Sequence, residues 1–183
     1  MAFMRQGDSS PLFSSRAKII YGDASVFEDL AEAVKDQDVV VSTIGHTKKS
    51  SKDVQTQSIS NLVKVIEDSK QRTKVVSLTG TGVRQKGDKI TVLDKLLNLA
   101  VRLIDLDRVN DGISHYQALK SSKVNWVIVR VLKLTNRGKI DFGLTSNGPA
   151  KTFVSRQVAA EALIRVAETE TWDKQLPIVS SHA

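Results

Sequence analysis

Tyr116 and Lys120 stand in the spacing Tyr-x-x-x-Lys inside "SHYQALKSSKVNW", residues 114–126. On a helix that spacing sets a phenol and an ammonium one turn apart. A neighbouring cation favours the phenolate, so such a pair can serve as an acid that protonates a reduced carbonyl oxygen. A second group of candidates follows the apolar, β-rich runs of the chain. These are Gly22-Asp23-Ala24, Thr43-Ile44-Gly45-His46, Thr79-Gly80-Thr81-Gly82 and Arg130-Val131-Leu132, and three of the four contain glycine. Glycine at a strand end lets the backbone come close to a ligand, and its recurrence along one edge predicts a binding crevice. His46 is the ionisable side chain best placed on that edge. Contact with a ribose or a substrate suits it, and so does an exposed loop position, the simpler of the two. His115 reads as a helix-surface residue. No histidine–carboxylate spacing suggests a metal site, and no nucleophile elbow is present.

The elements that must hold these residues alternate between strand and helix. "AKIIYGDA", "DVVVSTIG", "TKVVSLTGTG", "NWVIVRVLKL" and "QLPIVS" read as strands. The near-continuous apolar runs among them are expected of parallel strands covered on both faces. Between them lie helical stripes. Phe27, Leu30 and Val34 form one, with Ser25 and Glu28 as a predicted capping box. Ile59, Leu62, Val63 and Ile66 form another. Residues 90–104 make a broadly apolar helix that can roof a substrate site, form a homodimer face or pack in the core. A further helix covers residues 107–121, and "SRQVAAEALIRVAE" is a capped helix before the last strand. Such alternation predicts right-handed crossovers and a single α/β domain over residues 1–183, with a doubly wound, Rossmann-like parallel sheet. Ligands of such sheets bind at the carboxyl ends of the strands.

The 183 residues are 40% hydrophobic and 26% charged, the balance of a globular protein rather than a disordered one. No apolar run reaches the roughly 20 residues that a membrane helix requires. The start, "MAFMRQGDSS", lacks the apolar centre of a secretory signal, and cysteine is absent. Disulfides and thiolate chemistry are thereby excluded, and a cytoplasmic location is the expectation. Net charge is +7. The densest basic run, "HTKKSSKD", contains no aromatic residue for base stacking, which argues against a nucleic-acid site and for a basic surface with an anionic cofactor.

The order of these segments resembles the NAD(P)H-binding relatives of the atypical short-chain dehydrogenases. This group includes flavin and biliverdin reductases and regulators similar to the fungal nitrogen-metabolite repressor. The resemblance rests on "IIYGDASVFEDLAEAVKDQDVVVSTIG", "VVSLTGTGV", "LKSSKVNWVIVRV" and "FVSRQVAAEAL" in family order. It implies that Asp23 meets the adenine edge with Gly22 and Ala24 beside it. Thr43, Ile44 and Gly45 would line the adenosine ribose, and Thr79, Gly80, Thr81 and Gly82 would approach the nicotinamide. "FMRQGDSSP" resembles the segment where the family carries an arginine for the 2′-phosphate of NADP, which makes Arg5 that residue. NADP is therefore the implied cofactor, with NAD as the alternative, and a small molecule the implied substrate.

The resemblance also has a gap. The family opens with a strand and a G-x-x-G-x-x-G loop that seats the pyrophosphate at a helix N-terminus, and no such loop follows any strand here. An N-terminally truncated sheet is expected. Its missing strand should leave an opening, unless "AKIIYGDA" moves inward to pair with "DVVVSTIG". The family register also bears on Tyr116 and Lys120. Aligning on Leu119, Ser122 and Arg130 sets the dehydrogenase lysine at Gly112 and its tyrosine at Arg108. Geometry agrees, because a helix that feeds a parallel strand ends at the amino edge of the sheet. That places Lys120 by the helix's negative end, roughly 20 Å of helix away from the ligand edge. Val109, Ile113 and Tyr116 then form the stripe facing the sheet, and the catalytic residue is unknown. Arg108 and Asn110, at the start of that helix, face the ligand edge. The functions compatible with these residues are an NADPH-dependent oxidoreductase, a non-catalytic dinucleotide sensor or interaction protein, and a non-binding remnant.

Overall fold

The structure is a computed structural model that describes residues 1–5, 17–47, 50–138 and 141–181. The end of "FMRQGDSSP" beyond Arg5 and the central lysines of "HTKKSSKD" lie outside the described residues. In chain order the elements are β1 (Ala2–Met4), β2 (Ile19–Tyr21), α1 (Phe27–Val34), β3 (Val39–Ser42), α2 (Val54–Ser69), β4 (Lys74–Gly80), α3 (Val92–Ile104) and α4 (Leu106–Ser121). They continue with β5 (Asn125–Val131), β6 (Lys133–Thr135), β7 (Gly143–Thr145), β8 (Phe153–Ser155), α5 (Arg156–Ala167) and β9 (Ile178–Ser180).

The main sheet has five strands in the order β3-β4-β5-β9-β7. All neighbours run parallel except β7, which is antiparallel to β9. The apolar runs of β4 and β5 are buried on both faces, as a doubly wound sheet requires. On one face Val75, Trp126 and Ile128 pack with Ile59 and Leu62 of α2 and with Leu119 of α4. On the other, Val76, Val127 and Val129 meet Val158, Ala162 and Val166 of α5. Period-two alternation thus splits each strand between two cores.

β1 and β2 pair with each other as a separate parallel two-stranded sheet. The inward shift of "AKIIYGDA" does not occur; the gap does. A cavity of about 360 Å³ lies between Ala2 and Phe3 on one side and Val39, Val40 and Val41 on the other. Gly22 packs tightly within this unit: a Cβ there would lie 2.7 Å from Phe3 Cε2 and 2.9 Å from Asp29 Cβ.

Several local expectations are corrected. Ser25 and Glu28 form no capping box: α1 starts after Val26 without a side-chain cap. Instead Ser25 donates through both its N–H and its hydroxyl to Asp23 Oδ1, at 2.8 and 2.7 Å. "NWVIVRVLKL" is not one strand but two, with β6 leaving the main sheet to pair with β8. Helix α3 is not a core helix, since Asp94 is its one buried residue while Val92, Leu103 and Ile104 are 74%, 79% and 84% exposed. The cap of α5 is present as expected, with Ser155 Oγ accepting from the Val158 N–H at 3.2 Å. No helix among the described residues is long and apolar enough to cross a membrane.

Candidate functional site

At the carboxyl ends of β3, β4 and β5 the backbone opens into a cavity of about 620 Å³. Thr43, Ile44, Gly45, His46, Thr79, Gly80, Thr81 and Gly82 all line it, so eight of the residues expected to bind cofactor share one site. A Cβ placed on Gly45 or Gly80 would meet nothing nearer than 3.9 Å. Both glycines therefore present bare backbone to open space. Gly82 differs, because a Cβ there would press against Asn98 Oδ1 at 3.0 Å. Leu97, Asn98 and Val101 of α3 lie across the opening, so this helix is the roof of the site.

The wall under α3 is polar. Thr81 donates to Asp94 Oδ1 at 3.3 Å, and Asn98 Nδ2 donates to Thr81 Oγ1 at 3.0 Å and to Asp94. Arg84 approaches the same Asp94 oxygen at 3.5 Å. The paired Asp94 charge holds the roof helix to the end of β4 through side-chain hydrogen bonds rather than apolar packing.

The opposite wall is built around Asp111, whose side chain is 1% exposed. Its Oδ2 accepts from the Gln55 N–H at 2.9 Å, and its Oδ1 accepts from the Thr56 N–H at 2.9 Å and the Thr56 hydroxyl at 2.6 Å. Asp111 thus caps the N-terminus of α2 from another helix. His46 Nε2 lies 2.7 Å from Asp111 Oδ2. Burial works to raise the Asp111 carboxyl's pKa. The hydrogen bonds from Thr56, Gln55 and His46 outweigh it and hold the group below the usual carboxylate value. His46 is therefore not an exposed loop histidine: its side chain is 8% exposed and anchored.

The other predicted residues fall elsewhere. Arg5, Gly22, Asp23 and Ala24 belong to the β1–β2 unit and do not line the large cavity. Hydrogen bonds from the Ser25 backbone and side chain, with a smaller contribution from the charge of Arg5, lower the pKa of the Asp23 carboxyl. Tyr116 and Lys120 lie outside the cavity as well. Tyr116 packs edge-on against Trp126, with ring centroids 5.9 Å apart, and the Lys120 ammonium sits 5.5 Å from the phenol ring. Arg108 lines the site and Asn110 does not.

His115 is corrected from surface to core, at 2% exposure. Its Nε2 is 2.9 Å from Ser77 Oγ, while Nδ1 has no partner. A protonated ring would carry an unpaired N–H in the core. Burial accordingly lowers its pKa to about 4, against a smaller opposing effect from Asp111. A lowered histidine pKa means that the unfolded chain takes up a proton first as pH falls. Stability is complete above the ordinary histidine value of 6.5 and is lost as pH drops toward about 4. The expected loss is about 3 kcal/mol over that window. Urea unfolding at stepped pH checks it, with His115→Gln flattening this part of the curve; a parallel slope in that variant would refute the assignment.

A dinucleotide can be set against this geometry. The cavity offers open glycine backbone and polar walls for a nicotinamide-ribose half. The pyrophosphate is less well served, because Asp111 already occupies the first N–H groups of α2. The adenine-side residues stand beyond the opening next to β3. Against this background the chain matches the description NAD(P)H-binding over residues 1–170. It belongs to the NAD(P)H-binding family.

Solved structures share the fold of this NAD(P)H-binding chain. A short-chain dehydrogenase/reductase from Veillonella parvula, in complex with NADP, is 22% identical with a TM-score of 0.75; the match covers 97% of this chain and 80% of that one. ChuY, an anaerobillin reductase from Escherichia coli O157:H7, is 16% identical with a TM-score of 0.78, over 98% and 83% of the two chains. A Rossmann-fold NAD(P)-binding family protein from Shigella flexneri is 21% identical with a TM-score of 0.66, over 97% and 77%. Among curated proteins no sequence relative is found. The fold is therefore Rossmann-like.

Lys133, Arg156 and Asn98 are among the lining residues that escape sequence reasoning. Lys133 and Arg156 line the cavity because β6 and the start of α5 come together through the β6–β8 pair, a contact between short strands without periodic signal. Asn98 sits on a helix whose apolar letters dominate its pattern. For Asp111, outside the cavity lining but central to its wall, a signal was available: a carboxylate one position from the buried stripe Val109, Gly112 and Tyr116 needs a partner.

Proposed function

We propose that this chain is an NAD(P)H-dependent oxidoreductase that passes hydride to a small-molecule acceptor, with NADPH as the preferred donor. The observation that carries it is the cavity at the strand ends, where Gly45 and Gly80 leave open backbone beside Thr79, Thr81 and His46. When bound, a dihydronicotinamide supplies the hydride. Thr79, Gly80, Thr81 and Gly82 at the end of β4 would hold the nicotinamide half, with Leu97 and Val101 of α3 lining the same cavity. Arg5 takes the 2′-phosphate; it lies close enough to Asp23 for its charge to act on that carboxylate. The NADP held by the Veillonella relative supports this choice of donor.

Fluorescence titration of NADPH and NADH tests the proposal. NADPH should saturate, and Gly80→Val, which fills the backbone approach, should weaken both cofactors. Arg5→Ala should weaken NADPH about tenfold, the worth of one charge-assisted contact, and leave NADH unchanged. Equal losses for the two would remove Arg5 from the 2′-phosphate, and no saturable signal would reject cofactor binding by this chain. A non-catalytic dinucleotide sensor is the second reading, favoured by the position of Tyr116 and Lys120 outside the cavity. Saturable NADPH binding without NADPH oxidation by quinones, flavins or aldehydes would select it.

A further inference from the structure

We propose that His46, held by Asp111, is the proton donor of this site and that its acceptors are carbonyl compounds, including conjugated and quinoid ones. The inference rests on the oxidoreductase reading above and gives it the acid that Tyr116 and Lys120 do not supply. Asp111 receives four hydrogen bonds, three from α2 and one from His46. A carboxylate so occupied acts as acceptor toward the imidazole. The proton between them therefore belongs to Nε2, and Nδ1 is the ring nitrogen left to meet a ligand.

The loop that carries His46 is fixed at two points. Gln55 Nε2 donates to the Ile44 carbonyl at 2.9 Å, and Asp111 holds the imidazole itself. Gln55 stands in the first turn of α2 and Asp111 caps that turn from α4, so the ring is held by two packed helices rather than by a free loop. Gly45 beside it leaves open space. The charged groups facing the same cavity are Arg108 on α4, Lys133 on β6 and Arg156 on α5. The arrangement is that of a base oriented by a buried carboxylate.

In the step assigned to it, the acceptor carbon takes hydride from a dihydronicotinamide and its carbonyl π pair moves to oxygen. That oxygen takes the proton from imidazolium Nδ1. The ring is left neutral with hydrogen on Nε2, and solvent returns the proton to Nδ1. The Asp111 charge stabilises the imidazolium before transfer and fixes the tautomer after it.

The test uses the whole chain. Proton–nitrogen correlation spectra of the ligand-free protein should show His46 protonated at Nε2 and bare at Nδ1 at high pH; the opposite tautomer overturns the proposal. With NADPH and a benzoquinone or an aldehyde, His46→Gln and His46→Asn should each lower kcat about a hundredfold, the usual worth of a positioned acid. The loss should persist in kcat measured at saturating NADPH, and the pH dependence of kcat should differ from that of the unmodified chain. An unchanged kcat at saturating NADPH overturns the donor role alone. Bound NADPH without turnover of any acceptor in the unmodified chain overturns the oxidoreductase reading and this proposal with it.

Discussion

Replacing Arg130 with Met is expected to destabilise the fold by about 3–5 kcal/mol, the cost of breaking a buried ion pair from one side. Arg130 is fully buried near the end of β5. Its five guanidinium N–H groups meet five acceptors. Nε donates to Leu176 O at 2.9 Å, Nη1 to Val83 O at 3.1 Å and Asp88 Oδ2 at 2.6 Å, and Nη2 to Asp88 Oδ1 at 3.0 Å and Ser146 O at 3.1 Å. One side chain thereby ties the strand end to the loop after β4, the segment after β7 and the approach to β9. Methionine keeps the stem's bulk but leaves the Asp88 carboxylate uncompensated and three carbonyls without a donor. A loss of that size is a large fraction of a typical domain's stability of about 5–15 kcal/mol. Denaturant unfolding measures it. Asp88→Leu in the Arg130→Met background should recover part of the loss, and full additivity of the two changes would contradict the pairing.

The second large effect is expected at Asp111. Asp111→Ala removes the acceptor for two backbone N–H groups at the start of α2, for the Thr56 hydroxyl and for His46. The expected cost is about 3 kcal/mol, combining a lost helix cap with buried donors left unmatched. Because the folded pKa of Asp111 is depressed, its contribution is complete above the ordinary aspartate value of 3.8. It is lost as pH falls through the lower folded value. The unmodified chain should therefore show an acid-unfolding limb below about pH 4 that is shallower in Asp111→Ala. Hydrogen exchange gives the local reading. Gln55 and Thr56 amides should lose protection in the variant while those of β5 retain theirs relative to global stability. Uniform loss across both elements would mean that the cap has no local role.

These two residues mark where sequence reasoning stops. Arg130 was visible as a strand-end residue in family register, but its acceptors come from positions 83, 88, 146 and 176, which no local pattern relates to it. Asp111 and His46 are 65 residues apart. Their meeting depends on α4 packing against α2, and helix–helix contact leaves no mark in either segment beyond an apolar stripe. His115 shows the same limit from the other side. A histidine on a polar-looking helix reads as exposed, and the Ser77 hydroxyl that accommodates it in the core lies on a distant strand.

The strand–helix alternation, the two-faced burial of β4 and β5 and the glycine-rich strand ends follow from the sequence alone. Each depends on the period of apolar residues or on the steric freedom of glycine, and both are local. The same holds for the absence of a glycine-rich loop, and with it the expectation of an opening in the sheet. Tertiary structure decided that β1 and β2 pair with each other and not across that opening. It also decided that the predicted cofactor residues divide into two groups, and that α3 roofs the site rather than entering the core. These outcomes depend on contacts between distant segments, where an unpaired charge or a free strand edge is satisfied by whatever the fold brings beside it. The Tyr116–Lys120 spacing is the clearest case: the letters form a turn of helix, and the packing of that helix places the phenol against Trp126, away from the cavity.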